Sequence, residues 1–276
     1  MVGHRRRSSR SFARGPGRLE AVTVEKYQAL GNDFLIVVDR AARKPLDVEF
    51  VRRVSDRDSG VGADGVIRVT PGRDGADLTM ELRNADGGRA EMSGNGIRCM
   101  VLAAIRAGMA AGPEVTVTTD AGLKRVWVKD EGVTVDMGRA VLGPERRHSM
   151  PGWRQREVAM GNPHLVLLCP DPEEVHVAEM GRKLEQLRPG GMNVEFIAPG
   201  PGKDELRFRV WERGAGETQA CGTGSCAAAA AAHAWGLVGR NVIVHNPGGD
   251  LEVELTDDAA LLTGPAEHVA TLDIQP

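Results

Sequence analysis

The sequence predicts an α+β fold of two pseudo-symmetric lobes, each a mostly antiparallel β-sheet or barrel around one central helix. Three observations carry that expectation. The chain repeats itself at a nearly constant spacing, Gly-Asn turns feed an apolar strand in both halves, and a Gly-rich loop opens a helix in both halves. The N-terminal lobe is expected over residues 21–140 and the C-terminal lobe over 151–274, with a site at their interface.

Taken in order, "LGNDFLIVVD" (30–39) matches "MGNPHLVLLC" (160–169), which sets Asn32 over Asn162 at a spacing of 130. Next, "NADGGRAEMSGNG" (84–96) matches "ERGAGETQACGTG" (212–224) at a spacing of 128, with Asn84 over Glu212 and Ser93 over Cys221. The runs that follow, "IRCMVLAAIRAG" and "SCAAAAAAHAWG", are rich in helix formers and end at Gly. Alanine on every face of the second helix predicts burial all round, because an exposed helix needs a polar face. Finally, "VTVTTDAGLKRVWVKDEGVTVDMG" (115–138) and "VIVHNPGGDLEVELTDDAALLTG" (242–264) share one outline of strands and Gly turns, and "VLGPERRHSM" is read as the connection between lobes.

Composition limits the function. In 276 residues with 41% hydrophobic content there is enough material for a sizeable core. No run of about 18 apolar residues reads as a membrane span, and no apolar block reads as a secretory signal, so a cytoplasmic protein is expected. Residues 1–20 hold six arginines and one acid and are read as a disordered basic tail; the remainder carries 29 basic against 37 acidic residues. An acidic body with 4% aromatics and no basic stripe argues against nucleic acid as a partner. Cys99, Cys169, Cys221 and Cys226 form no Cys-x-x-Cys pair and read as reduced thiols, and the seven histidines lack ligand spacing, so no metal is expected.

A Gly-rich loop that opens a helix offers unpaired N–H groups and the positive end of the helix dipole, so it binds anions or lowers a thiol pKa. Neither loop has the lysine of a phosphate-binding P-loop. A purely structural cap and a carboxylate site beside an activated thiol both fit one loop read alone. The repetition favours the second, since two such loops facing each other form one pocket. Acid/base groups on opposite sides of a pocket suit removal of a proton from one face of a carbon and its return to the other. For an amino-acid α-proton this requires that the substrate carboxylate be held by concentrated donors, unless a cofactor serves as electron sink.

At these residues the sequence resembles the diaminopimelate epimerase family. The motifs are "GNDFLIVVD", "GVGADG", "NADGGRAEMSGNGIRC", "MGNPH" and "ERGAGETQACGTGSCA", and the likeness runs from about 24 to 274. It implies a cofactor-independent interconversion of LL- and meso-diaminopimelate in lysine and peptidoglycan biosynthesis, in a two-lobed protein that allows a homodimer. It further implies that Asn32, Asn84, Asn162, Asn193, Glu212 and Arg213 hold the distal amino-carboxylate end of the substrate. Gly94, Asn95, Gly222 and Thr223 would cradle the reacting α-carboxylate, and His164 with Glu212 would help set protonation near Cys221. Gly65 stands where some members have Gln.

The sharper departure is Ser93, which occupies the place of the first of the family's two catalytic cysteines. A serine hydroxyl is a far weaker acid than a thiol. Cys99 lies six residues on, inside the helix, nearly two turns from the loop. The alternatives are an epimerase that handles one face through Ser93 or a relayed water, and a one-base dehydratase, isomerase or epimerase of another amino acid that uses Cys221 alone. A non-catalytic amino-acid-binding homologue, and a serine introduced to trap a complex, complete the set. The retained distal-end residues favour diaminopimelate as the ligand.

Overall fold

The computed structural model describes residues 21–43, 45–147 and 149–275. The basic segment 1–20 lies outside the described residues.

The first half runs β1 (Val22–Ala29), β2 (Asn32–Val38), α1 (Val48–Ser55), β3 (Gly65–Pro71), β4 (Leu78–Asn84), β5 (Arg89–Ala90), α2 (Gly94–Arg106), β6 (Glu114–Thr119), β7 (Gly122–Lys129) and β8 (Gly132–Asp136). After β9 (Val141–Arg147), the second half runs β10 (Arg154–Ala159), β11 (Pro163–Leu168), α3 (Val177–Glu185), β12 (Asn193–Pro199), β13 (Glu205–Glu212), β14 (Gly216–Thr218), α4 (Gly222–Ala234), β15 (Asn241–Asn246), β16 (Gly249–Leu255) and β17 (Ala260–Gly264). The described chain closes with β18 (Glu267–Ile274).

The two halves match pairing by pairing. β1/β2, β3/β4, β4/β5, β6/β7 and β7/β8 are antiparallel, whereas β2/β3 and β4/β6 are parallel. The second half gives the same series, antiparallel except for β11/β12 and β13/β15. The parallel steps need crossovers, which α1, α3 and the two central helices supply. Burial repeats as well: β6 and β15 share one alternation, with Val115 and Val117 inward in one and Val242 and Val244 in the other.

α2 is flanked by β1, β2, β3, β7, β8 and β18, and α4 by β10, β11, β12, β13, β15, β16 and β17, so each helix is enclosed by strands. Cys226 to Ala232 are buried around the whole circumference of α4, as its alanines predict. Both helices belong to one continuous apolar cluster that reaches across the two halves.

The halves are joined edge to edge. β8 pairs with β17, Val133 opposite Gly264 and Asp136 opposite Leu261, and the Thr134 and Thr263 hydroxyls meet at 2.8 Å. Two further strands cross over. Val141–Arg147, read from sequence as connection, pairs with β10, and β18 returns to pair with β1, Val22 opposite Ile274. Short apolar turn-like runs do not reveal such partners, because strand pairing at long range is set by the tertiary fold.

Candidate active site

α2 and α4 begin at equivalent backbone positions. Ser93 is the N-cap of α2 with φ −135° and ψ 125°, and its Oγ accepts from Gly96 N at 3.0 Å. Cys221 is the N-cap of α4 with φ −129° and ψ 112°, and its Sγ accepts from Gly224 N at 3.4 Å. The two helix starts touch. A Cβ on Gly222 would lie 3.4 Å from the Gly94 Cα and 2.8 Å from Leu262 Cδ2, so only glycine permits this approach. Two positive helix ends and their free N–H groups therefore converge on one spot.

Asn95 beside the first cap ties the two halves together, and the other contacts run within one half. Asn95 Nδ2 donates to Asn32 Oδ1 and to the Ala220 carbonyl, both at 3.4 Å. Thr223 Oγ1 lies 3.5 Å from Cys221 Sγ and accepts from Asn162 Nδ2 at 3.5 Å. Asn193 Oδ1 accepts from Arg213 N at 2.9 Å, and Arg213 Nη1 donates to the Gly190 carbonyl at 3.4 Å. Glu212 accepts from Thr218 Oγ1 at 2.5 Å and lies near enough to the Cys221 thiol to act on it electrostatically. Asn84 sits exposed at the end of β4, opposite Gly65, with no side-chain hydrogen bond among the described residues.

His164 is buried and makes its contacts with Glu195 and Asn162: Nδ1 to Glu195 Oε1 at 2.6 Å, Nε2 to Asn162 Oδ1 at 2.9 Å. It lies near enough to Glu212 to act on that carboxyl electrostatically.

Protonation differs from the expectation of an acidified thiol. Burial, followed by the charges of Glu212 and Glu195, pushes the Cys221 thiol well above its ordinary value. The Gly224 N–H and the Thr223 hydroxyl act in the opposite direction and are outweighed. At 5% exposure the thiol has lost the water that would solvate its anion, and desolvation exceeds the help of the helix end. Burial likewise pushes the Glu212 and Glu195 carboxyls up.

Three residues without an assigned role from sequence belong to this assembly. Arg98 is fully buried in α2 and donates to the Gly94 carbonyl, Asn95 Oδ1 and the Pro265 carbonyl; burial lowers it to about 10. Asp64 accepts from Asn32 Nδ2 at 2.6 Å and from Arg57 at 2.7 Å. Glu195 is the third, and the signal for it was present as a lone acid inside the apolar run "NVEFIAP".

A duplicated α+β fold whose two helix starts meet, one capped by a hydroxyl and the other by a thiol, fits the acid/base chemistry of the epimerase and racemase class of isomerases. Residues 24–143 and 157–269 match the family model for diaminopimelate epimerase. A diaminopimelate epimerase from Moorella thermoacetica is 42% identical over 270 residues, covering 88% of this chain and 96% of that protein. Another, from Synechococcus elongatus, is 40% identical over 266 residues, covering 88% and 95%. Among solved structures, a Bacillus anthracis phenazine biosynthesis protein of the PhzF family has the same fold, with a TM-score of 0.72 at 16% identity over 93% of this chain and 99% of that one. The chain belongs to the diaminopimelate epimerase family.

Proposed function

We propose that this isomerase interconverts LL- and meso-diaminopimelate by removing and returning the α-proton, with Cys221 and Ser93 on opposite faces of the reacting carbon. The observation that carries the reading is the pair of matched N-caps at two touching helix starts. The α-carboxylate is held by the N–H groups of Gly94, Asn95, Gly222 and Thr223, where charge building up in the transition state is stabilised. Asn32, Asn84, Asn162, Asn193, Glu212 and Arg213 take the distal end. Glu212 is the acceptor for the Cys221 thiol proton, so that the sulfur alternates between thiolate base and thiol acid. The lobes are the units 21–140 and 151–274, except that β18 completes the first by pairing.

One asymmetry favours a second reading. Behind Cys221 stand His164 and Glu195, whereas the repeat places Phe34 and Ile67 behind Ser93, each within reach of a Cβ on Gly96. A serine backed by apolar side chains lacks a strong neighbouring base, which suits one-base chemistry through Cys221.

Incubation of the enzyme with LL-diaminopimelate in deuterated water separates these. Deuterium incorporation with inversion is the expected result, and incorporation with retention would select the one-base reading. No incorporation at all would reject both. Cys221→Ala is expected to abolish incorporation.

A further inference from the structure

We propose that Glu195 is a positioning residue: it shares one proton with Nδ1 of His164, keeps Nε2–H donated to Asn162 Oδ1, and so fixes the Asn162 carboxamide towards Thr223 and Cys221.

The contacts form one continuous chain. Glu195 Oε1 to His164 Nδ1 is 2.6 Å, His164 Nε2 to Asn162 Oδ1 is 2.9 Å, Asn162 Nδ2 to Thr223 Oγ1 is 3.5 Å, and Thr223 Oγ1 to Cys221 Sγ is 3.5 Å. With the Asn162 oxygen facing Nε2, that nitrogen must carry a hydrogen. The short contact at Nδ1 then holds a single proton, written either as imidazolium with carboxylate or as imidazole with carboxylic acid. In both descriptions Nε2 is the donor, so the ring has one orientation and one tautomer.

The surroundings leave Glu195 no other task. Its side chain is fully buried, and its Oε2 has no hydrogen-bond partner among the described residues. The titratable groups that face it are His164 on β11, Glu212 on β13 and Cys221 at the start of α4. A Cβ on Gly224 would lie 2.9 Å from Glu195 Oε1, so the glycine makes room for the carboxyl against the helix. In the first half the matching space holds the Ile67 side chain, 2.9 Å from a Cβ on Gly96. Isoleucine therefore satisfies packing at that place in the fold, and the carboxyl in the second half serves the histidine.

The inference rests on the proposed substrate role of Asn162, and the test has one arm that does not. The 15N spectra of histidine-labelled wild type, Glu195→Gln and Glu195→Ile are recorded, with His164 assigned from its loss in His164→Asn. Wild type and Glu195→Gln, whose amide can donate to Nδ1, are expected to keep the Nε2–H form. Glu195→Ile is expected to lose it while remaining folded. With LL-diaminopimelate, KM is expected to rise about ten- to a hundredfold in Glu195→Ile, with a smaller change in kcat and substantial rescue in Glu195→Gln. An unchanged tautomer and a KM within about twofold of wild type in folded Glu195→Ile would overturn the assignment. So would equal losses in both variants with the tautomer intact. If wild type leaves diaminopimelate untouched while the tautomer follows the expected pattern, the functional reading falls and the role of Glu195 stands.

Discussion

Ser93 and Cys221 present the same backbone and the same capping bond with different chemistry, so exchanging one for the other tests the chemistry with little disturbance of structure. Ser93→Cys is expected to raise the rate of inversion, read by circular dichroism of the amino-acid product. It should cost no more than about 1 kcal/mol in stability, because sulfur is a poorer N-cap acceptor than oxygen. An unchanged rate would place Ser93 outside the reacting centre. The repeat drew attention to these residues in the sequence, together with Asn32, Asn162, Asn84 and Glu212, whereas Asn193 and Arg213 entered only through the family resemblance. Arg98 and Asp64 were not legible as site residues, and Glu195 left only the weak signal of a lone acid in an apolar run. For Arg98 and Asp64 the pattern alone cannot distinguish an inward polar group from an outward one, and the enclosing strands reveal that Arg98 and Glu195 are fully buried.

The two central helices carry thiols in their interiors, Cys99 in α2 and Cys226 in α4, both pushed by burial to about 12 from an ordinary value near 9. The unfolded chain releases these protons at lower pH than the folded chain does. Their stabilising effect is therefore complete below about pH 9 and is lost as pH climbs from about 9 towards 12, by up to about 1.4 kcal/mol per pH unit for each thiol. Thermal melts of wild type and Cys226→Ala across pH 8 to 10.5 are expected to converge at the alkaline end. Gly224 in α4 gives a second expectation. In Gly224→Ala the new methyl meets Glu195 Oε1, which cannot retreat without leaving His164, so a loss of about 1–3 kcal/mol is expected together with weakened diaminopimelate binding by calorimetry. The long helices were readable because propensity and Gly stops agree over 13 residues each. α1 and α3, of eight and nine residues, hold only Val51, Val54 and Ser55, and Val177 and Gly181, inward and left no comparable pattern.

At the scale of the whole molecule, the β8/β17 ladder binds the halves along one edge, while β9 and β18 each follow one half in the chain and pair with a strand of the other. Ending the chain at Pro265 would strip β1 of one of its two partners, leaving only β2, and uncover part of α2. Such a truncation is expected to lose the single cooperative transition in scanning calorimetry. Access to the site is also a property of the whole. Cys221, His164 and Asn193 are 5%, 1% and 5% exposed, so movement of one half against the other about the shared ladder is the expected route by which a ligand enters. Saturating ligand is expected to slow amide exchange at the Gly94 and Gly222 helix starts. The pairing of Val22 with Ile274 has a different kind of consequence. It brings the two ends of the described segment side by side, so the backbone between them is nearly a closed ring, and the point at which that ring is opened is arbitrary for the architecture. A permuted gene that links the ends of β1 and β18 and opens instead at the exposed turn between β7 and β8 is expected to build the same molecule.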